Sequence, residues 1–170
     1  MISIKNLYWF KHDLRLTDNI ALYNCSKKKN SAAIYIYDSN IINDKSFGNL
    51  HLDFINDSLF YLSDVFKKNG AHLNIFYGDS IKVLKKIIDE YNVHNIYSHY
   101  EVRDLKSREI NKNVKLLCSS TRVEWHQFQR NGVVEGLKNR DGWAYLWNKQ
   151  MNLPLVPIPS LSNFKKLKGL

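Results

Sequence analysis

Apolar residues fall into short continuous runs and into stripes at three- and four-residue spacing, and the two patterns alternate along the chain. Asn6 to Phe10, with Tyr8, Trp9 and Phe10, predicts a buried strand. Ser31 to Tyr37, SAAIYIY, is apolar on both faces and predicts a second strand, closed by Asp38. Continuous apolar strands are what a sheet covered by helices on both sides requires. Between these two, Thr17 or Asp18 is placed to cap a helix running to about Cys25. Leu52, Ile55, Leu59, Leu62 and Phe66 then form a helical stripe. Asp53 and Asp57 sit early in that helix and Lys67 and Lys68 late, which suits its dipole, and Gly70 fits a left-handed stop. His72 to Tyr77 predicts a third strand. Gly78-Asp79-Ser80 turns into a helix with Ile81, Leu84, Ile88 and Tyr91 on one face, ended by Asn92. A fourth strand at Asn95 to Ser98, a helix from Leu105 to Leu117 and a fifth strand at Arg122 to Trp125 complete the series.

Strands alternating with helices imply right-handed crossovers and a parallel sheet. The expected fold is α/β, a Rossmann-like, doubly wound, five-stranded parallel sheet with helices on both faces, over residues 1–128. Strand order does not follow from one sequence. In the order 3-2-1-4-5 the switch point lies between the first and fourth strands. The loops after those two strands are the two dense polar clusters of the chain. One is Trp9 to Asn19, WFKHDLRLTDN, which carries Lys11, His12, Asp13, Arg15 and Asp18; the other is His99 to Asp104, with Glu101 at its centre. In that order the clusters face each other across one crevice. The first turn contains no glycine, which excludes a dinucleotide fingerprint and a P-loop.

Residues 129–170 read differently. Asn131-Gly132 and Asp141-Gly142 are turn signals, and Val133, Val134, Leu137, Trp143 and Trp147 lie between and after them. Trp143 and Trp147 share a face on a helix. Pro154, Pro157 and Pro159 prevent further regular helix. The segment reads as a connector that leads to another unit.

Composition adds little and excludes some classes. A chain of 170 residues, 44% hydrophobic and 24% charged, makes one globular domain with a short appendage. No apolar run has the length of a membrane span and the first residues lack a secretory pattern, so a cytoplasmic location and no membrane partner are expected. Cys25 and Cys118, far apart and without metal-ligand spacing, read as reduced, buried small hydrophobes. The net charge of +9 has two readings, a nucleic-acid partner or the lysine bias of an AT-rich genome, and the second carries more weight for the domain alone. The run Lys27-Lys28-Lys29 reads as a solvated edge.

Three segments resemble the DNA photolyase/cryptochrome family. WFKHDLRLTDN (Trp9 to Asn19) is close to that family's WFRRDLRLHDN, with Lys11 and His12 where the family has two arginines or an arginine and an asparagine. The rhythm from Ser58-Leu-Phe-Tyr-Leu62 to the Gly78-Asp79 turn is characteristic but weak. WHQFQRNGVVEGLKNRDGWAYLWNKQM (Trp125 to Met151) resembles the connector of bacterial members. The likeness spans the chain but only the N-terminal third or so of a family member. It implies the antenna domain of a deoxyribodipyrimidine photolyase or cryptochrome, a blue-light flavoprotein of DNA repair or photoreception, here truncated or one part of a split protein. It further implies an antenna pigment, methenyltetrahydrofolate or a deazaflavin. FAD and any contact with DNA would belong to a helical FAD-binding domain, in cis or as a separate chain. This chain alone is expected to be inactive as a lyase. The loop His99-Tyr100-Glu101-Val102-Arg103-Asp104 departs from the EETGN-type turn of bacterial members: Glu101 keeps an acidic group, and the glycine is gone. The alternative is a stand-alone Rossmann-like module for a nucleotide or pterin.

Phe10, Lys11, His12, Asp13, Arg15 and Glu101 are therefore the candidate pigment-crevice residues. Each has a plainer role to weigh. Asp13 and Arg15 can pair with each other and with the connector. Asp18 is most simply a helix cap. Lys11 and His12 have less structural reason to exist. His12, His99 and Glu101 lack metal-ligand spacing, and no GxSxG elbow or HxGH motif is present. Arg140, Trp143 and Trp147 are the candidate interdomain contacts, since aromatic pairs dominate such interfaces. Left uncovered, the two tryptophans favour weak self-association.

Overall fold

The protein is described here from a computed structural model that covers residues 3–101, 104–129, 132–133, 137 and 139–168. Five parallel strands run β1 (Asn6–Phe10), β2 (Ser31–Asp38), β3 (Leu73–Gly78), β4 (Asn95–His99) and β5 (Glu124–Phe128). Their order in the sheet is β3-β2-β1-β4-β5. Connecting them are α1 (Ile20–Ser26), the short α2 (Ser39–Ile42), α3 (Asn49–Lys68), α4 (Ser80–Tyr91) and α5 (Leu105–Thr121), with α6 (Trp143–Met151) beyond the sheet. The fold class is the expected one, and the polarity reversal falls between β1 and β4.

Alternation along each strand divides the core in two. Leu7 and Trp9 join Ala32, Ile34, Ile36 and Ile96 on the face covered by α4 and α5. Tyr8 and Phe10 join Ala33 and Tyr35 on the other, packed by α1 and α3. The buried stripe of α3 is Ile55, Leu59, Leu62 and Phe66, and Gly70 follows it at φ 67°. Asp79 caps α4 through the Lys82 amide, and Asn92 ends it in the left-handed conformation. Cys25 and Cys118 are free and buried.

The structure moves three boundaries. The cap of α1 is Asn19, whose side chain accepts from Leu22 N–H, and not Thr17 or Asp18. Asp18 instead sits at φ 50° and exchanges hydrogen bonds with Val156 at 3.1 and 3.2 Å. α5 continues to Thr121 and consumes Arg122 as its left-handed C-cap, which pushes β5 from the expected Arg122–Trp125 to Glu124–Phe128. The polar loop after β2 contains α2, capped by Asp38.

The last part of the chain descends beside α1, where Asn163 Nδ2 donates to Ser26 C=O at 2.9 Å. It then crosses the lower rim of the sheet, the rim formed by the strand N-termini. Phe164 forms a bridge to Ser31 and accepts from His72 N–H at 3.1 Å. Leu167 N–H donates to Asn74 Oδ1 at 2.8 Å, and Asn74 Nδ2 donates to Lys165 C=O at 3.1 Å. Leu161 and Phe164 are buried in one half-core and Leu167 in the other. This strap fills the notch left because β3 begins opposite Ala33 rather than opposite Ser31. Within the segment 129–170 that the sequence reading assigns to a connector, the strap packs against the sheet through the Ser31 bridge and its three buried apolar side chains. No helix among the described residues is long and apolar enough to cross a membrane.

Candidate functional site

The two polar loops meet at the upper rim, where the strands end. Asp13 is buried, and its Oδ1 accepts the Lys11 N–H at 2.9 Å. Its Oδ2 accepts from Tyr8 Oη at 2.5 Å and lies 2.6 Å from His99 Nδ1. Asn19 Nδ2 donates to Tyr8 Oη at 2.8 Å and to Arg15 C=O at 2.9 Å, closing the network. Burial alone would raise the Asp13 pKa. The His99 hydrogen bond and charge, with the Tyr8 hydroxyl and Lys11 amide, outweigh it and hold the carboxyl well below the usual range. The same burial and the Asp13 charge push the Tyr8 phenol well above its ordinary value.

Asp13 therefore pairs across the sheet with His99 and not with Arg15, as the sequence reading had allowed. Arg15 is exposed and bonds Asp18 instead, to its carbonyl at 2.9 Å and its carboxylate at 3.4 Å. The expected contact with the connector is made by Asp18.

Lys11 turns back under the rim. Its Nζ donates to Asn111 Oδ1 at 2.8 Å and lies 4.6 and 5.1 Å from the rings of Trp9 and Trp125. Desolvation lowers its pKa to about 8, although the Glu101 and Asp13 carboxylates act in the opposite sense. Glu101 is buried, and its carbonyl accepts from Asn111 Nδ2 at 2.8 Å. Val102 and Arg103, the next residues of that loop, lie outside the described residues, as does Val134 of the connector.

Above these groups opens a cleft of roughly 560 Å³ of atom-free space, part of it continuous with solvent. Phe10, Lys11, His12 and Glu101 line it, together with Trp9, Tyr35, Ile36, Ile55, Phe47 and Asn111. Asp13 lies beneath it and Arg15 outside it. Asp38 lines the cleft with both oxygens engaged, by the Asn40 and Ser80 amides. Ser107, on the first turn of α5, is buried, and its Oγ has no hydrogen-bond partner among the described residues. Such an orphaned hydroxyl facing a cleft is a group waiting for an acceptor or donor. Ser107, Asn111 and Trp125 are the site residues that sequence reasoning missed. Asp104, which caps α5 by accepting from the Ser107 amide, was the signal available for the helix start, but it does not say which way the Ser107 side chain faces. Among the described residues no group of His, Cys, Asp or Glu is arranged to hold a metal.

The connector candidates lie apart from this cleft. Trp143 and Trp147 are 42% and 39% exposed, their ring centroids 6.1 Å apart, and Arg140 is exposed just before them. α6 buries no residue. At Gly132 an added Cβ would fall 2.0 Å from Trp147 Cδ1, so only glycine lets the indole approach there.

Comparison with known proteins follows the same outline. A family model described as DNA photolyase matches residues 6–145. Cryptochrome-1 of Anopheles gambiae is 32% identical over 101 residues, covering 54% of this chain and 18% of that protein. The chloroplastic/mitochondrial cryptochrome DASH of Arabidopsis thaliana is 26% identical over 128 residues, 69% of this chain and 22% of that one. The chain thus spans about a fifth of the curated relatives it matches. Among solved structures, a Synechocystis sp. PCC6803 cryptochrome superposes with a TM-score of 0.78 at 20% identity, covering 99% of this chain and 39% of the larger one. An archaeal photolyase from Sulfolobus tokodaii, described with two FAD molecules and a novel light-harvesting cofactor, gives a TM-score of 0.74 at 20% identity over 96% of this chain and 38% of that one. At such identity the structures establish the fold.

Proposed function

The chain belongs to the DNA photolyase family as its N-terminal α/β domain, and from that premise we propose that it is a light-collecting module whose upper-rim cleft takes a planar heteroaromatic pigment. The observation that carries the reading is the cleft at the switch point, apolar on its walls and edged by Lys11 and the orphaned Ser107 hydroxyl. Phe10, Tyr35, Ile36 and Ile55 offer flat, apolar contact to a ring system. Lys11, held by Asn111, and the Ser107 hydroxyl offer polar contacts to its rim. That donor set fits a methenyltetrahydrofolate, a deazaflavin or a flavin. A bound pigment of this kind would supply blue-light absorption; the chain's own residues bind it, orient it and keep water from its apolar face.

In the full-length family the partner is a helical FAD-binding domain. The exposed face of α6, with Arg140, Trp143 and Trp147, is the surface we assign to it. The light-driven reversal of pyrimidine dimers, and contact with DNA lesions, would then be properties of the two parts together. The test is reconstitution. The purified chain is titrated separately with methenyltetrahydrofolate, an 8-hydroxy-deazaflavin and FAD, following pigment absorbance and quenching of tryptophan fluorescence. Saturable binding of one of them, weakened by Ser107→Val and by Tyr35→Ala, is expected. Failure of all three to bind at micromolar concentration would sink the pigment reading.

A further inference from the structure

We propose that the lower rim of the sheet, on the side opposite the cleft, is a binding surface for the phosphodiester backbone of nucleic acid. Charge is divided between the two rims. The carboxylates Asp13, Asp38, Asp79 and Asp104 are spent at the upper rim, on His99 or on helix N-termini. At the lower rim cations stand at strand starts. Following the sheet order, they are Lys27 to Lys29 before β2, Lys5 before β1 and Arg122 before β5. The strap adds Lys165, Lys166 and Lys168, all exposed, across the β2 and β3 starts. Five strands at a spacing of ~4.8 Å make this row roughly 20 Å long.

The carboxylates on this side do not cancel it. Asp64 and Asp89 are paired to Lys68 and Lys85 at 2.7 Å, and Glu90, in the last turn of α4, and Glu124 are outnumbered by the lysines of the row. Helix dipoles account for Lys67 and Lys68 in the last turn of α3. They also reach Lys27 and Arg122, the C-cap residues of α1 and α5, but not Lys5 or the strap lysines, which end no helix.

The kind of partner follows from the kind of surface. The row is made mostly of lysines, which act as mobile point charges, and no large exposed apolar side chain stands within it. It therefore lacks the anchors of a protein interface or of a membrane-inserting face. A closely spaced line of phosphates satisfies it, without sequence preference and with strong salt dependence.

The experiment measures fluorescence anisotropy of a labelled mixed-sequence DNA duplex against the full chain over a salt series. Two triple variants of equal charge change are compared. One alters the lower rim (Lys28→Glu, Lys165→Glu, Lys166→Glu) and one alters exposed lysines away from it (Lys45→Glu, Lys82→Glu, Lys112→Glu). The rim variant is expected to lose about tenfold or more in affinity and about three in the slope of log K against log salt, the distant variant far less. Equal losses for both would reduce the effect to net charge and overturn the proposal. So would absence of binding at low salt, or tighter binding to phosphatidylserine vesicles than to DNA. If the rim variant does not fold, lysine acetylation of the unaltered chain decides: DNA should protect Lys28, Lys165 and Lys166 and leave Lys45 and Lys82 reactive. Uniform protection counts against the proposal. Because the cleft is on the other rim, pigment binding can fail or succeed independently.

Discussion

At the ends of β1 and β4 the chain buries Tyr8 and His99 against Asp13, both within 2.6 Å of the same carboxylate oxygen. At the starts of β2 and β3 it buries Phe164 and Leu167 and leaves Lys165, Lys166 and Lys168 in water. Both devices close a rim of the same sheet. The upper one joins two loops by ionisable groups, which leaves the cleft above it floored by polar, oriented atoms. The lower one uses apolar side chains and backbone hydrogen bonds, so its charges remain outside and available. A rim held by charge is specific and sensitive to pH; a rim held by apolar anchors is neither.

The largest effect expected is at the lower rim. Phe164→Ala removes a fully buried aromatic ring and loosens the bridge to Ser31, and should cost roughly 3–5 kcal/mol in urea unfolding. His72, whose amide bonds Phe164 and whose pKa burial and the nearby Lys166 lower, titrates beside it, so the loss should be the same at pH 7 and pH 8, above that titration; a strongly pH-dependent loss there would break the comparison. Asp13→Asn comes next, at about 1.5–3 kcal/mol near neutral pH, because His99 and Tyr8 lose an ionised acceptor. Here the sign with pH is definite. The folded carboxyl titrates well below its unfolded value of about 4, so the unfolded chain binds the proton first. The contribution is complete above that pH and is lost as the pH falls below it, whereas the Asn variant lacks this slope. Parallel acid-unfolding curves for the two proteins would refute the assignment.

The smallest effect on stability belongs to α6. Changing both Trp143 and Trp147 to Ser should alter unfolding free energy by about 0.5 kcal/mol or less, because the helix buries no residue. The same change should lower concentration-dependent self-association in sedimentation velocity, since two half-exposed indoles side by side favour a partner. An unaltered chain that stays monomeric at high concentration would remove that expectation.

The contrast also explains what the sequence made legible. The strands and helices follow from alternating runs and stripes, which report burial directly; the order β3-β2-β1-β4-β5, on which the meeting of the two loops depends, does not, because it is set by packing between elements distant in sequence. β5 was misplaced because its residues are only partly buried, so Val123 and Trp125 marked it less sharply than the left-handed Arg122 marks the end of α5. Asp18 was taken for the cap because it stands beside Asn19, and either side chain has the required oxygen; the bond to Val156, far away in sequence, decided between them. In the site, Lys11 was marked by its oddity, but its partners Asn111 and Trp125 come from another helix and strand, where facing depends on packing. The strap was hidden among lysines. Leu161, Phe164 and Leu167 at intervals of three were the available signal, and the surrounding charge masked it.

The strap also sets a timetable. Synthesis delivers the N-terminal end first, so all five strands can be in place once Phe128 has emerged. At that moment the notch beside Ser31 is still open: the His72 amide and the Asn74 side chain face water where their later partners will sit. The sheet must wait for Phe164 before it is sealed, and the loop that closes is long, which adds only slowly to its entropic cost. A nascent chain stalled between these two points would therefore present a nearly finished fold with one raw seam, and that seam is where a protease or a second unfinished chain would first take hold.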